Sequence, residues 1–272
     1  VVNCAGMWGR EVAAMAGVNV PLHACEHFYI VSEVMAEVPP DLPVLRDPSG
    51  YFYVKEDAGK LLVGAFEPGA KPWAINGIPE DFEFESLPED WEHFAPVLGN
   101  VMHRVPLMER AGIALFFCGP ESFTPDTRYS LGECPEVRNF FVAAGFNSIG
   151  IQSSGGAGKV IADWIDRGSA PMDLWDVDPR RWMPFQNNAM YLRDRVTESL
   201  GNLYAMHWPF LQPETARHVR KSAIHDRLLD HGACFGETAG WERPNWFAPV
   251  GVKPIYEYSY GRQNWFEYSA QE

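Results

Sequence analysis

A glycine-rich segment, residues 145–159, joins a buried strand to an amphipathic helix in the middle of the chain. The apolar run before it, residues 139–144, is typical of a buried strand. Behind the glycines, apolar residues recur at the spacing of one helix face, at Ala157, Val160, Ile161, Trp164 and Ile165. We therefore predict a strand, a glycine turn and a helix that begins near Ser154 and stops at Gly168. Such a turn aims backbone N–H groups and the positive end of a helix dipole at its ligand.

A nucleoside triphosphate is not the ligand that this segment indicates. A Walker A loop needs a glycine, four further residues, and then Gly-Lys-Ser/Thr. Here Ser153 stands at the first position and Val160 at the last, so both ends of the motif fail. The segment does not spell G-x-G-x-x-G either. The alternative is a glycine turn that serves only close packing between helix and strand.

Composition and charge exclude several classes of function. The 272 residues are 46% hydrophobic, which is enough for one large or two smaller domains. The formal net charge is −14 and no basic cluster occurs, so we expect no nucleic-acid partner. No apolar run reaches the length of a membrane span, so we expect no membrane partner. The sequence leaves the oligomeric state open.

The five cysteines are scattered, form no C-x-x-C pair and have no zinc-ligand spacing with the histidines. They predict reduced, mostly buried thiols, no metal site, and a reducing compartment: the cytoplasm, or the mitochondrial matrix in a eukaryote. The chain begins at Val1 rather than at methionine, and its first residues are typical of the end of a strand. We therefore expect a piece of a longer protein.

Periodicity and turn residues predict the remaining elements. We expect a helix at 6–15, strands at 20–34 and 113–118, a hairpin from 51–55 and 60–66, a surface excursion at 67–89, and a turn-rich segment at 119–127. A helix at 91–105 should be interrupted near Pro96 and Gly99.

Composition shifts after Pro171, which predicts a boundary between a domain at 1–171 and a domain at 172–272. Residues 172–235 are richer in charge and predict helices, most clearly at 191–203. The tail from Gly236 is dense in tryptophan, tyrosine and phenylalanine, and we expect these rings to serve packing rather than ligand binding.

Five blocks, in this order along the chain, resemble the flavin-dependent amine oxidoreductases. They are V-N-C-A-G-M-W-G (2–9), G-P-E-S-F-T-P-D (119–126), the glycine segment (145–159), G-W-E-R-P-N-W-F (240–247) and R-Q-N-W-F (262–266). The last two blocks resemble a linker domain in the branch that contains dimethylglycine dehydrogenase, sarcosine dehydrogenase and dimethylglycine oxidase.

The resemblance implies an α/β (α+β) fold with an incomplete FAD-binding domain, a mixed-sheet substrate domain and a small C-terminal linker domain. Residues 1–171 would form the second half of the FAD-dependent oxidoreductase domain, and 172–272 the central linker domain. Members of this branch hold the FAD pyrophosphate on an N-terminal Rossmann turn, where a histidine commonly carries the flavin, and bind tetrahydrofolate in a further C-terminal domain. Because the chain lacks both parts, we expect it to bind FAD poorly and to be inactive alone.

The resemblance also implies which residues lie near FAD and substrate. The expected cofactor-binding residues are Ala5, Gly6, Trp8, Asn147, Ile149, Gly150, Ile151, Ser154 and Gly155. The expected catalytic residues are His27, which would assist amine deprotonation or hold a carboxylate, and Tyr53, whose hydroxyl would bind the substrate.

Structural roles remain open for the same side chains. His27 could be a structural histidine at a strand edge, and Tyr53 a strand tyrosine that packs on its neighbours. Lys55 could be an ordinary exposed lysine, and Asp126 an ordinary turn residue. His23 and His27 have the spacing of a metal pair on a helix, but the segment is typical of a strand, so we expect no metal there.

The resemblance finally implies a flavoprotein that oxidises an N-methylated amino acid by hydride transfer to FAD. Dimethylglycine, sarcosine and a longer N-methylamino acid all stay open as substrates. The same branch includes a regulatory subunit of pyruvate dehydrogenase phosphatase, so a catalytically idle protein partner is the alternative.

Overall fold

The computed structural model describes residues 1–206 and 212–271, and the chain divides into two compact units, Val1–Ala205 and Met206–Glu272. The predicted α/β class is confirmed. The domain boundary predicted after residue 171 stays a prediction.

Within the described residues, strands form three sheets. In chain order they are β1 (Val2–Asn3), β2 (His23–Ser32), β3 (Leu45–Asp47), β4 (Phe52–Asp57), β5 (Lys60–Ala65), β6 (Ile113–Phe123), β7 (Ser130–Glu133), β8 (Phe141–Ala144), β9 (Ala233–Thr238) and β10 (Trp241–Phe247). The helices are α1 (Gly9–Met15), α2 (Trp91–Arg104), α3 (Gly150–Arg167), α4 (Ala189–Asn202), α5 (His225–Asp230) and α6 (Phe266–Ser269). No described helix is long and apolar enough to cross a membrane.

The first sheet has the order β1-β8-β7, with β1 and β8 parallel and β7 antiparallel to β8. Both parallel strands run into a turn and then a helix, β1 into α1 and β8 into α3. Because the carboxyl ends of parallel strands meet at one edge of a sheet, the turn at Gly6 and the turn at Gly145 lie side by side. This edge is the usual ligand-binding side of an α/β sheet.

Helix α3 confirms the predicted strand, glycine turn and helix, but it begins at Gly150 rather than near Ser154. Because glycine has a low helix propensity, the sequence did not predict that the first turn, which begins at Gly150, is helical. The N–H of Ser153 already donates to the carbonyl of Ile149, at 3.1 Å. The helix ends as predicted at Gly168, whose φ of 73° is left-handed.

The predicted apolar face of α3 is mostly confirmed. Ala157, Ile161 and Trp164 are buried against Phe141 and Leu131 of the first sheet. Ile165 is the exception, because its side chain is 51% exposed.

The second sheet is antiparallel throughout, with the order β3-β4-β5-β2-β6. It confirms the predicted hairpin, which is β4 and β5, and the long strand β2. The turn predicted from residue 119 is wrong for residues 119–123, because β6 continues to Phe123 and pairs with β2 as far as His23. Pro120 is tolerated there since β6 is an edge strand, whose outward N–H positions need no partner.

Helix α2 packs on one face of this sheet and is continuous through Pro96, contrary to the predicted interruption. Pro96 and Gly99 lie on its exposed side, whereas Phe94, Val97 and Val101 are buried. The carboxylate of Asp90 accepts a hydrogen bond from the N–H of His93, at 2.9 Å, and caps the first turn. Packing of the apolar face therefore outweighs the one backbone hydrogen bond that proline removes.

Helix α4 confirms the helix predicted at 191–203 and packs on the opposite face of the second sheet. Its residues Val196 and Leu200 are fully buried against Cys25, Phe66 and Phe123. Both faces of the sheet are thus covered in part by a helix.

The second unit holds the hairpin of β9 and β10 with α5 and α6. Helices account for less of residues 172–235 than predicted. Short 3₁₀ turns precede α4, and strand β9 begins at Ala233. Residues 207–211 lie outside the described residues. The packing role predicted for the aromatic tail is confirmed for Trp246, which is 1% exposed and stacks with Tyr268 at 5.9 Å between ring centroids. Tyr260, by contrast, is 90% exposed.

His23 makes the stability of the first unit depend on pH. It is 7% exposed at the start of β2, and burial, with Arg10 and Arg193 nearby, lowers its pKa to about 4. A histidine in an unfolded chain titrates near 6.5, so between these pH values only the unfolded chain binds the proton. Stability is therefore complete above about pH 6.5 and falls as the pH falls toward 4.

We predict that His23→Gln flattens this dependence, because glutamine carries no titrating proton. Between pH 7.5 and 4.5, the free energy of unfolding of the wild type should fall by about 2.5 kcal/mol more than that of the variant. Urea titrations of both proteins at the two pH values measure the difference. Parallel pH profiles would show that His23 is not the linked group.

Candidate active site

A cavity of about 540 Å³ opens where three segments of the first unit meet. One segment is the turn after β1, one lies on β6, and one runs from β8 into α3. The residues that line it are Cys4, Gly6, Met7, Trp8, Pro120, Glu121, Ser122, Ala143, Ala144, Gly145, Phe146, Ser154, Ala157 and Gly158. Most of these groups are small or apolar, so the cavity suits a flat ring system rather than a hydrated ion.

The wall that α3 contributes consists of three small residues, Ser154, Ala157 and Gly158. A Cβ at Gly155 or Gly158 would meet no atom within 4 Å, so the protein itself does not fill the space beside them. Helix α3 has 18 residues, no acidic residue in its first turn, and an N-cap, Ile149, that gives no side-chain hydrogen bond. The N-cap side chain therefore leaves the N-terminal N–H groups uncapped, but the residues of α3 that line the cavity, Ser154, Ala157 and Gly158, lie in its second and third turns.

A buried asparagine fixes the loop between β8 and α3. The side chain of Asn147 accepts from the backbone N–H of Thr124 at 2.9 Å and donates to the carbonyl of Gly145 at 2.7 Å. Its Nδ2 also donates to the hydroxyl of Thr124, at 3.0 Å, and that hydroxyl donates to Oδ1 at 3.2 Å. With two donated and two accepted bonds, the amide has no capacity left for a ligand. Asn147 therefore shapes the loop.

The other expected cofactor residues fall into two groups. Gly6, Trp8 and Ser154 line the cavity. Ala5, Ile149, Gly150, Ile151 and Gly155 lie in the adjoining turn or along α3 without lining it, and Ile151 is 98% exposed.

His27 connects the cavity to the second sheet. Its Nε2 lies 3.3 Å from the hydroxyl of Ser148 in the glycine loop and 3.9 Å from a carboxylate oxygen of Glu121. The ring of Phe66 packs edge-on against it, with centroids 5.0 Å apart. A group that accepts or holds a proton thus lies beside the loop, among apolar rings.

Tyr53 lies on the same face of the sheet. It pairs with Gly64 of β5, and Gly64 pairs in turn with Tyr29 of β2, two residues from His27. The strands that carry His27 and Tyr53 do not pair with each other, because β5 lies between β2 and β4. Both side chains nevertheless contact Phe66.

The environment of Tyr53 keeps its hydroxyl protonated. Burial, with Glu121 and Tyr29 nearby, raises the pKa of Tyr53. A Cβ at Gly64 would lie 2.2 Å from Cε1 of Tyr53, so the tyrosine ring lies directly across the glycine. Only glycine leaves room for the ring there.

Three residues of this site were missed from the sequence. Glu121 was assigned to a turn, which hid its pairing with Cys25 and its place on the His27 face. Ser148 has a φ of 66° that no apolar pattern signals. Gly64 is an ordinary strand glycine until the register places Tyr53 opposite it.

The structure gives Lys55 and Asp126 the ordinary structural roles that the sequence had left open. Lys55 is exposed in β4. The carboxylate of Asp126 accepts from Nε of Arg181 at 2.8 Å, which ties its turn to the segment before α4.

The strand prediction for His23 and His27 is confirmed, so these two residues do not form a helical metal pair. In the second unit, ligand atoms of His218, His225 and Glu242 lie within 4.8 Å of one another. Arg217 donates to both carboxylate oxygens of Glu242, and the guanidinium supplies the positive charge that a metal would supply. Burial opposes ionisation of Glu242, but these bonds and the N–H of His218 hold its pKa below the usual range.

The fold and the cavity define a class: an α/β protein in which the turn after β1, strand β6 and helix α3 surround a cavity suited to a flat ring system. Comparison with known proteins agrees. A family model described as FAD dependent oxidoreductase matches residues 1–164, and one described as FAD dependent oxidoreductase central domain matches residues 167–222. The chain belongs to the FAD dependent oxidoreductase family. The predicted resemblance and the predicted cofactor, FAD, are thereby confirmed.

Curated relatives extend the similarity over the whole chain. The chain is 48% identical to 4-methylaminobutanoate oxidase (formaldehyde-forming) of Paenarthrobacter nicotinovorans, over 100% of this chain and 33% of the relative. It is 39% identical to human mitochondrial sarcosine dehydrogenase, over 96% of this chain and 28% of the relative. It is 37% identical to the mouse mitochondrial pyruvate dehydrogenase phosphatase regulatory subunit, over 91% of this chain and 28% of the relative. The chain spans about a third of the length of these relatives.

Among solved structures, glycine oxidase from Geobacillus kaustophilus matches with a TM-score of 0.54 and 26% identity. The match covers 67% of this chain and 45% of the oxidase.

The residues present fit FAD. The small residues of α3 that line the cavity permit close approach of an isoalloxazine ring. Stabilisation of a reduced ring by the α3 N-terminus stays a prediction. Gly6, Trp8, Ser154 and Gly158 would hold the ring in the cavity.

We predict that Gly158→Leu weakens FAD binding by full-length protein, because the new side chain enters the cavity. Overpacking of a close-fitting site costs about 1–3 kcal/mol, or roughly five- to hundredfold in affinity. Flavin content of the purified protein, read from its visible absorbance, measures the effect.

Gly156→Leu is the matched control. It lies in the same helix, also meets no atom within 4 Å, and does not line the cavity. Both substitutions replace a helical glycine and should stabilise α3 equally. Equal flavin content in the two variants would contradict the placement of the ring.

Proposed function

We propose that this chain is part of a flavoprotein that oxidises the N-methyl group of an amino acid. The observation that carries the proposal is the position of His27, between Ser148 of the glycine loop and Glu121 of the cavity, on the sheet face that also carries Tyr53. FAD, when bound, accepts the hydride that leaves the carbon next to the amine nitrogen.

The protein side chains prepare the amine for this loss. An amine must lose its proton before its carbon can give up a hydride, and Nε2 of His27 accepts that proton. The carboxylate of Glu121 holds the amine beside His27 through a charge-assisted hydrogen bond. Phe66 and Phe123 pack edge-on against His27 and leave its side chain 15% exposed.

The hydroxyl of Tyr53 orients the rest of the substrate. Because its pKa is raised, the hydroxyl remains a hydrogen-bond donor at neutral pH, which suits an anionic carboxylate. Sarcosine, dimethylglycine and a longer methylamino acid all carry both an amine and a carboxylate. We also propose that the protein works in a reducing compartment, either the cytoplasm or the mitochondrial matrix. Four of its cysteines are buried free thiols, as expected in such a compartment.

The alternative is a catalytically idle protein that acts as a regulatory subunit, and one relative, from mouse, is named pyruvate dehydrogenase phosphatase regulatory subunit. The two proposals differ in what they require of full-length protein. A flavoprotein shows flavin absorbance that bleaches on addition of an N-methyl amine, and an idle regulator does not.

We predict that His27→Asn slows flavin reduction by roughly one hundredfold while flavin stays bound, because general-base catalysis contributes about 10²–10⁴-fold. Anaerobic stopped-flow absorbance with sarcosine, dimethylglycine and 4-methylaminobutanoate measures the rate. His103→Asn is the control, since His103 is exposed on α2. A wild-type rate of flavin reduction in the His27 variant would show that this histidine has only a structural role.

We predict that Tyr53→Phe raises KM about tenfold or more, because a hydrogen bond to a charged group contributes about 1.5–3 kcal/mol. Gly64→Ala should have a similar effect, since its Cβ displaces the Tyr53 ring. The double variant should be no worse than either single variant. Gly69→Ala, where a Cβ meets no atom within 4 Å, is the control. Additive losses would show that Gly64 does not act through Tyr53.

A further inference from the structure

Glu67 is a buried carboxylate just after β5. Its side chain is 5% exposed, and neither carboxylate oxygen accepts a hydrogen bond from any described residue. Its charged partner is His93, in the first turn of α2, whose Nε2 lies 3.3 Å from Oε1 of Glu67. Burial of an ionised carboxylate with so few partners lowers the stability of a fold. The stability of the fold therefore does not explain this side chain.

The turn that contains Glu67 is held between the two helices that cover the second sheet. On the α4 side, a Cβ at Gly201 would lie 2.8 Å from the carbonyl oxygen of Glu67 and 2.5 Å from Cα of Pro68, so only glycine permits this approach. On the α2 side, the contact is the ion pair between Glu67 and His93. The ion pair therefore fixes the position of the turn relative to α2.

The residue before Glu67 is Phe66, whose ring contacts both side chains that we propose to act on the substrate. The ring centroid of Phe66 lies 5.0 Å from that of His27 and 6.2 Å from that of Tyr53. Phe66 packs among residues of α4, whereas the carboxylate of Glu67 reaches α2. Because the two residues are adjacent in the chain, a displacement of Glu67 moves the Phe66 ring relative to His27.

The other charged groups near this end of α2 do not replace the ion pair. Lys71 and Asp90 pair with each other. Glu26 on β2 is acidic, and burial raises its pKa, so it supplies no positive charge. Within the described residues, His93 is thus the cation that holds Glu67.

We propose that Glu67 is a positioning residue for the oxidation: its ion pair with His93 holds Phe66 against His27, so that the histidine keeps the orientation in which it accepts the amine proton. The inference rests on the proposed function of the site. It implies that removal of the charge affects activity and stability in opposite directions, as in other sites where function is maintained at the expense of stability.

The stability test uses full-length, FAD-loaded protein and compares urea unfolding midpoints. Glu67→Gln should unfold at the same urea concentration as the wild type or at a higher one, because the amide carries no charge to bury. His93→Gln should unfold at a lower concentration, because it leaves the carboxylate buried without its partner. Glu85→Gln, which changes an exposed carboxylate, is the control.

The positioning test uses the same proteins. Stopped-flow absorbance with sarcosine, dimethylglycine and 4-methylaminobutanoate measures the limiting rate of flavin reduction. We expect Glu67→Gln to slow it about tenfold at unchanged flavin content, because a misplacement of about 1 Å can slow a reaction by up to about hundredfold. The double variant with Phe66→Leu should be no slower than Phe66→Leu alone, since Glu67 acts through that ring.

An NMR measurement reports the same contact without catalysis. The Cε1 proton of His27 lies beside the Phe66 ring, so its chemical shift depends on the ring current of Phe66. In protein labelled at histidine, this signal should move in Glu67→Gln and stay at the wild-type position in Glu85→Gln.

Three results would overturn the proposal. A wild-type rate in Glu67→Gln would mean that the carboxylate does not position the base. Additive losses in the double variant would mean that Glu67 does not act through Phe66, and a lower urea midpoint for Glu67→Gln would mean that the carboxylate serves the fold. If the wild type oxidised none of the three amino acids, the proposed function would fail separately. The His27 signal would then still decide the inference: a shift in Glu67→Gln supports it, and an unchanged signal overturns it.

Discussion

The hydrogen bonds of one buried amide hold the two halves of the site together. Asn147 is 1% exposed, adopts a left-handed φ of 50°, and bonds to Thr124 and Gly145. Thr124 follows directly after β6 of the second sheet, and its carbonyl accepts from the hydroxyl of Ser199 on α4, at 3.1 Å. The loop before α3, the end of the second sheet and the helix that covers that sheet therefore meet at one network. If it opened, Ser148 would leave His27, and the glycine loop would lose its position against the second sheet.

The two sheets of the first unit carry different chemistry, and of the second sheet only Pro120, Glu121 and Ser122 line the cavity. The first sheet and α3 supply small residues, which suit close approach of a flat cofactor. The second sheet supplies titratable and hydrogen-bonding side chains from one face, at His27, Tyr53 and Glu121. The chain belongs to the FAD dependent oxidoreductase family. In such enzymes the protein supplies placement and electrostatics, while the cofactor supplies the redox chemistry.

The elements with strong local patterns were predictable from the sequence, and the site between them was predictable only in part. Alternation and turn residues located β2 and the β4–β5 hairpin, and Gly168 located the end of α3. Pro96 misled the prediction of α2, because burial of one helix face outweighs a missing hydrogen bond on the other. Glu121 and Gly64 were missed because their roles depend on strand register, which no local pattern encodes. Asn147 was expected at the cofactor, and the structure shows its side chain fully used by the loop.

The central claim is that the cavity bounded by Gly6, Glu121 and Gly158 holds the isoalloxazine ring of FAD beside His27. A crystal structure of the full-length protein with FAD tests it most directly. The account predicts the ring in this cavity, in van der Waals contact with Gly158 of α3, and with His27 on its open face. A ring bound elsewhere, or a cavity that closes on itself in the full-length protein, would contradict the account.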